Sequence, residues 1–238
     1  MGLVRKCVVL AAGRGTRMGA LTEELPKPML PLGGKPMLEH ILDRLRAAGF
    51  EEGLLVTGFR AEVIESHFAG YPMRLQTVRQ TTLDGTGSAT LLAREFCAGE
   101  PFLLTFGDIL TAWEEYAAMR AAFDANPDTE ALLAAKYVDD PWQGAAIYET
   151  GCVVSRIVEK PPRGSSSTHW NSAGAYLFRA TIFEVLAAIP RSPRGEYEIT
   201  AAIEWLLEAG RRVRLHAFTS GWRDVGRPED LDGAQDMV

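Results

Sequence analysis

The chain has 238 residues, 47% apolar and 24% charged, enough apolar mass for one sizeable core under an ordinary polar surface. Its net charge of −6 comes from acidic and basic residues mixed throughout, which argues against a nucleic-acid binder and leaves phosphate ligands open. No apolar run reaches transmembrane length and MGLVRKCVVLAAG lacks a signal-length apolar core, so a cytoplasmic protein with no membrane partner is expected.

In chain order, KCVVLAA (6–12) reads as a buried strand and residues 36–49 as an amphipathic helix, with Pro36 in its first turn and Gly49 at its exit. Strand patterns follow at 52–59 and 73–80, with a helix at 61–70 between them. Residues 88–99 read as a helix and 101–110 as a buried strand ending in a Gly-Asp pair. A helix at 113–126 and a strand at 130–138 repeat the alternation. GAAIYE and CVVSRIVEK read as a hairpin around Thr150-Gly151, and GAYLFRA as a further strand. Residues 181–189 and 197–210 are helical, RVRLHAF is a strand, and PEDLDGAQDM is a closing helix. RGSSSTHW (163–170) suits a mobile loop. The three cysteines, Cys7, Cys97 and Cys152, read as free thiols packed as small core residues in a reducing compartment.

Strands alternating with helices predict an α/β fold with a mainly parallel sheet and ligands at the carboxyl ends of its strands. No repeat or shift in composition marks a boundary, so residues 1–238 are expected to form a single domain.

The stretch LAAGRGTRMG follows the first strand with glycines at 13, 15 and 19. A dinucleotide-binding loop needs a helix to begin inside the glycine motif. Here prolines at 26, 28, 31 and 36 oppose helix, so residues 19–35 are expected to run extended. The G-x-G-x-x-x-G spacing also differs from the dinucleotide pattern, and no glycine precedes Lys-Ser or Lys-Thr, which excludes a Walker loop. What remains is a glycine turn carrying Arg14 and Arg17 and followed by Lys27, suited to phosphate oxygens, or else a plain solvated surface loop.

LAAGRGTRM followed by LPKPMLPLGGKPML resembles the signature of the sugar-1-phosphate nucleotidyltransferases, G-x-G-T-R-[LM] followed by P-K-x-x-[LM]. Segments similar to that family recur in order: DGTGSA (84–89), FGDIL (106–110), RIVEKP (156–161), NSAGAYLF (171–178), GEYEIT (195–200) and WRDVGRPEDL (222–231). The resemblance implies a Rossmann-like three-layer α/β/α fold, with a nucleotide-binding half at 1–138 and a sugar-phosphate-binding half at 139–238. It also implies attack of a sugar 1-phosphate on the α-phosphorus of a nucleoside triphosphate, with release of pyrophosphate and no covalent enzyme nucleophile. These two substrates are the expected partners. A homo-oligomer stays open.

By the same resemblance, Arg17, Lys27 and Asp108 are the catalytic candidates, and Asp108 with Asp224 would share a Mg2+. Two carboxylates completed by phosphate oxygens and water suit that hard ion. Alternatives for the two are a helix cap before TAWEEY for Asp108 and a turn residue for Asp224. The implied nucleotide contacts are Leu10, Ala12, Gly13, Gly15, Thr16, Arg17, Gln80, Gly85 and Thr86. The implied sugar-side contacts are Gly144, Glu159, Lys160, Asn171, Gly174 and Glu196, with Thr200 a weaker candidate. Without the resemblance, Glu159-Lys160 is an ordinary exposed pair on a hairpin.

In the uridylyl and thymidylyl members a Gln five residues before the loop glycine pairs with the pyrimidine, and Gln80 stands five before Gly85. A Gln amide both donates and accepts, which suits uracil or thymine, so UTP or dTTP is favoured. A polar residue ending a strand is the plainer reading. Ala201 stands where the family often has Asp, and Arg227 where it often has Thr, which leaves the sugar open. Rival readings are a guanylyl- or cytidylyltransferase, an enzyme using phosphocholine with CTP, and a non-catalytic nucleotide-sugar sensor. His40, His67, His169 and His216 lack metal-ligand spacing, while His169 and Trp170 border the sugar-side loop as candidate substrate contacts. No hexapeptide-repeat extension is present, so a fused acyltransferase is not expected.

Overall fold

The computed structural model describes residues 3–238. The chain opens with β1 (Lys6–Ala11), then two 3-10 turns at Thr16–Thr22 and Lys27–Met29, then the short strands β2 (Pro31–Leu32) and β3 (Lys35–Pro36). It continues through α1 (Met37–Ala47), β4 (Glu52–Thr57), α2 (Ala61–His67), β5 (Arg74–Arg79), α3 (Thr86–Leu91) and α4 (Arg94–Cys97). Next come β6 (Phe102–Phe106), β7 (Ile109–Thr111), α5 (Trp113–Asp124), β8 (Ala131–Tyr137), β9 (Ala145–Thr150), β10 (Val153–Glu159) and β11 (Trp170–Phe178). The chain closes with α6 (Ile182–Leu186), α7 (Ile199–Glu208), β12 (Val213–Ala217), β13 (Trp222–Asp224) and α8 (Asp230–Gln235).

The main sheet has nine strands in the order β5-β4-β1-β6-β11-β8-β12-β10-β9. Pairings around β1 and between β8 and β12 are parallel, while β10 and β11 run against their neighbours. The fold is therefore α/β around a mixed, mainly parallel sheet. β11, from the second half of the sequence, inserts between β6 and β8, so both halves share one sheet.

Because helices cover both faces, the central strands are apolar at successive positions rather than alternate ones. On one face Cys7, Val9, Leu103 and Leu132 pack with α1, α5 and Ile64 of α2; on the other Val8, Leu54, Leu104 and Leu133 pack with α3, α4, α6 and α7. α1 buries Met37, Leu38, Ile41, Leu42 and Leu45, a single stripe at helical spacing. No helix among the described residues is long and apolar enough to cross a membrane.

Several elements differ from expectation. The 19–35 segment is not extended throughout: one 3-10 turn closes before Pro26 and a second includes Pro28, since such turns need only i→i+3 bonds. Pro36 is the N-cap of α1 rather than part of its first turn. The helix expected at 88–99 starts earlier, at Thr86, and breaks between α3 and α4 at Leu92-Ala93. The strand expected at 101–110 stops at Phe106, and β7 leaves the sheet to pair with β13. Cys7 and Cys97 are buried, and burial pushes the Cys97 thiol up to about 12. Cys152 is instead exposed, at the hairpin turn, with φ at +66° beside Gly151 at +59°.

Candidate active site

Strand order reverses beside β1: the chain moves outward to β4 and β5, then returns to place β6 on the other side of β1. A crevice at the carboxyl ends of such strands is where α/β sheets bind ligands. The glycine loop leaves β1 there, and Gly107 leaves β6 there, its N–H donating to the Leu10 carbonyl at 2.8 Å. The Phe59 N–H donates to the Ala12 carbonyl at 3.0 Å, tying the loop to β4. Gly13 is exposed, and Arg14 lies over the Phe59 ring at 5.6 Å. Thr16 begins the first 3-10 turn, whose Met18 N–H and Thr22 hydroxyl both donate to the Gly15 carbonyl, at 2.9 and 3.0 Å.

Gly15 has φ of +64°, and a Cβ there would lie 2.7 Å from Lys27 Cβ. The left-handed turn and missing side chain let Lys27 fold under the loop, where it is 6% exposed. From there Lys27 Nζ donates to Asp108 Oδ2 at 2.7 Å. A buried ammonium needs such a partner. Asp108 does not cap a helix: the residue before α5 is Ala112, and Asp108 sits in the turn joining β6 to β7.

Pairing of β7 with β13 sets Ile109 opposite Asp224, and the Val225 N–H donates to the Asp108 carbonyl at 2.9 Å. Trp222 Nε1 pins β13 to the Ala173 carbonyl at 2.8 Å. Asp224 thus ends a strand rather than occupying a turn. Its side chain is exposed on a concave wall whose crowding strips solvation from the carboxyl. That desolvation, with repulsion from Asp108, pushes it up to about 6 against the pull of Lys27 and Arg17. Arg17 closes the group: a Cβ on Gly226 would lie 3.6 Å from Arg17 Nη1 and 3.7 Å from Asp224 Oδ1.

Two neighbouring carboxylates in a cleft are hard oxygen donors of the kind that fit a divalent cation. No cluster of three or more His, Cys, Asp or Glu suited to a metal occurs among the described residues. The remaining ligands would therefore be water and phosphate oxygens.

A cleft of about 780 Å³ runs from this group across the sheet. Arg17, Thr86, Asp108, Gly144, Glu159, Lys160, Asn171, Gly174, Glu196 and Asp224 all line it. At the far wall the Lys160 N–H donates to the Gly144 carbonyl at 2.7 Å, which sets the end of β10 against Gly144. Asn171 packs on Gly144 and donates from Nδ2 to the Ser172 carbonyl at 2.8 Å; its buried Oδ1 has no partner among the described residues. Gly174 lies where the register of β11 shifts against β8. Burial, then the like charge of Glu198, pushes the Glu159 carboxyl up, while Lys160 and Arg194 oppose it. The Thr200 hydroxyl donates to Glu159 at 3.2 Å, and Glu196 pairs with Arg194 at 3.2 Å.

Leu10, Ala12, Gly13, Gly15, Thr16, Lys27, Gln80 and Gly85 are not part of that lining. Lys27 joins it through Asp108. Gln80 and Gly85 join it through Thr86, because residues 84–87 are zipped to residues 197–199. Tyr197 N–H donates to Asp84 O at 2.7 Å, Gly87 N–H to Tyr197 O at 2.7 Å, and Ile199 N–H to Thr86 Oγ1 at 3.0 Å. Gly85, at φ +120°, permits this contact, since a Cβ there would lie 2.4 Å from the Tyr197 carbonyl oxygen.

His169 and Trp170 do not line the cleft. His169 stacks on Tyr137 with centroids 4.9 Å apart, and its Nδ1 lies 3.1 Å from both the Val138 and Asp139 carbonyls. The loop before them is held at Thr168, whose hydroxyl donates to the Ile147 carbonyl at 2.7 Å. Sequence reasoning passed over Arg194, Glu198 and Asp230, all on the cleft wall. Arg194 directly precedes GEYEIT and pairs with Glu198 at 2.7 Å. Asp230 accepts from the Gly226 and Arg227 N–H groups at 2.9 and 2.7 Å, which holds the turn that leads from β13 into α8.

The family model described as Nucleotidyl transferase matches residues 6–238. The chain is 34% identical over 233 residues to the bifunctional protein GlmU of Methanococcus aeolicus, covering 94% of this chain and 52% of that protein. It is 31% identical to the glucose-1-phosphate thymidylyltransferase of Streptomyces griseus, covering 95% and 64%. It is 35% identical over 244 residues to the UTP–glucose-1-phosphate uridylyltransferase of Haloferax volcanii, covering 98% and 96%. The chain thus spans about half the length of several relatives that it matches. A UDP-glucose pyrophosphorylase structure complexed with UDP-glucose shares the fold, with a TM-score of 0.88 at 24% identity and 98% coverage of each chain. With its family signature running almost end to end, the chain belongs to the nucleotidyl transferase family.

Proposed function

We propose that this protein joins a nucleoside triphosphate, UTP or dTTP, to a sugar 1-phosphate, giving a nucleotide-sugar and pyrophosphate. One observation carries the reading: Arg17, Lys27, Asp108 and Asp224 gather at one end of a cleft whose far wall holds Gly144, Glu159, Lys160 and Asn171. An oxygen of the sugar phosphate attacks the α-phosphorus, and the bond to the bridging oxygen of pyrophosphate breaks. The attacking phosphate is already ionised, so no general base is required, and positioning with charge neutralisation supplies the catalysis.

In this reading the loop from Leu10 to Thr16 holds the nucleotide against β1, with Gln80, Gly85 and Thr86 at its base. Arg17 and Lys27 face the triphosphate and offset the charge that grows on it. Asp108 and Asp224 would hold Mg2+, which when bound offsets further phosphate charge. Glu159, Asn171, Gly144, Gly174 and Glu196 orient the sugar, and Lys160 its phosphate. Asn171 and Glu159, polar side chains side by side on the cleft wall, support a sugar, whose hydroxyls need such partners. The names of the thymidylyl and uridylyl relatives support UTP or dTTP. We read residues 1–238 as one catalytic domain acting in the cytoplasm, as a monomer or a homo-oligomer.

The test is pyrophosphate release with Mg2+ over a matrix of common triphosphates against sugar 1-phosphates, with phosphocholine included. Highest kcat/KM for UTP or dTTP with a sugar 1-phosphate is expected. A preference for GTP or ATP defeats the base assignment, and a preference for CTP with phosphocholine defeats the acceptor. Tight nucleotide-sugar binding without turnover for any pair would make the protein a sensor.

A further inference from the structure

The side-chain amide of Gln80 is oriented from inside the protein. Gln80 follows β5, its backbone N–H donates to the Thr57 carbonyl at 2.7 Å, and the residue is 9% exposed. Its Nε2 lies 3.2 Å from the Gly85 carbonyl, 3.0 Å from Ser88 Oγ and 3.5 Å from Asp84 Oδ1. A carbonyl only accepts, so the NH2 end of the amide must face Gly85.

Ser88 has one hydroxyl hydrogen and two acceptors within reach, Asp84 Oδ1 at 2.5 Å and the Gly85 carbonyl at 2.9 Å. The shorter, charge-assisted bond takes it. The Ser88 oxygen is then left to accept from Gln80. The second Asp84 oxygen lies 3.8 Å from Arg191, which sits over the Tyr197 ring. Among the described residues Gln80 Oε1 has no hydrogen-bond partner, so the oxygen is the end of the amide left for a ligand.

We propose that Asp84 and Ser88 form a relay that fixes the Gln80 amide with its oxygen toward the nucleotide base, so that the site presents an acceptor and selects pyrimidines bearing a ring N–H. Uracil and thymine carry that N–H at N3. Cytosine has a lone pair at N3, which the amide oxygen repels. Ser88 and Asp84 are positioning residues and touch no substrate themselves. The inference rests on the reading that Gln80 meets the base, and it adds what sets the polarity of that contact.

The experiment measures kcat and KM for UTP, dTTP and CTP with glucose 1-phosphate. It compares the wild type with Ser88→Ala, Ser88→Thr, Asp84→Asn and Gln80→Ala. Ser88→Ala and Asp84→Asn weaken the hold on the amide and leave the Gly85 carbonyl as its main restraint, so the UTP-to-CTP ratio of kcat/KM should fall about tenfold. That fall should come through KM, with kcat for UTP nearly unchanged, and Ser88→Thr, which keeps the hydroxyl, should restore the ratio. If Ser88→Ala does not fold, as judged by its melting curve, Asp84→Asn carries the same test. An unchanged ratio in both, with a collapsed ratio in Gln80→Ala, overturns the relay and leaves the base reading standing. An unchanged ratio in Gln80→Ala, or a wild type that prefers a purine triphosphate, overturns both.

Discussion

Lys27 reaches the Asp108 carboxylate at 2.7 Å from a 3-10 turn that packs beneath Gly15. The ion pair joins the glycine loop after β1 to the turn after β6. It couples the cation proposed to face the triphosphate with one of the carboxylates proposed to hold the metal.

That coupling predicts a non-additive pair of substitutions. Lys27→Ala and Asp108→Asn should each lower kcat by about 100-fold or more while the protein stays folded. The double variant should lose much less than the product of the two, since each single change already breaks the shared unit. Steady-state kinetics beside circular dichroism checks this; near-normal kcat in either single variant removes that residue from the catalytic group.

Gly15→Ala should displace Lys27 from within the loop proposed to hold the nucleotide. The new methyl group collides with Lys27 Cβ and sits at φ +64°, so a stability loss of roughly 1–3 kcal/mol is expected with a fall in kcat. Denaturant melts together with turnover measure both. Wild-type kcat at reduced stability would mean that Lys27 keeps its place without the glycine.

Chelation with EDTA should abolish turnover, and added Mg2+ should restore it. Asp224→Asn should raise the Mg2+ concentration for half-maximal rate by at least about tenfold. A metal titration of initial rates is the measurement, and full activity in EDTA would rule the ion out.

Glu115 anchors the segment that leads into β13. Its Oε1 accepts from the Ser220 and Thr219 N–H groups at 2.6 and 2.7 Å and from both hydroxyls, at 2.9 and 3.2 Å. Burial works to raise this carboxyl, but those bonds outweigh it and hold it below its ordinary value of 4.5. A depressed carboxyl stabilises the fold above its unfolded pKa and loses that contribution as pH falls through the folded one. The Tm gap between wild type and Glu115→Gln should therefore be full above pH 4.5 and close on further acidification. A gap independent of pH would show that the charge contributes nothing.

Much of the layering was legible from residue patterns. KCVVLAA announced a strand buried on both faces, and the 36–49 stripe announced α1, because burial writes itself into local apolar spacing. The β7–β13 ladder was not legible. Its strands are three residues each, too short for any period, and WRD had only its motif to mark it. Arg194 carried no motif of its own; Glu196 and Glu198 stand beside it in sequence, and only folding brings Glu159 to it.

The sequence by itself determined the α/β alternation, the exclusion of a dinucleotide loop by its prolines, and the residue types offered to phosphate, metal and sugar. Only the tertiary structure decided that Lys27 lies buried under Gly15, that Asp224 stands beside Asp108, and that Asp84 and Ser88 turn the Gln80 amide. Propensity and periodicity act over a few neighbouring positions. The contacts of Asp108 join residues far apart in the chain and adjacent only once the sheet reverses its order beside β1, while Gln80, Asp84 and Ser88 stand close in sequence and meet through the turn at Gly85.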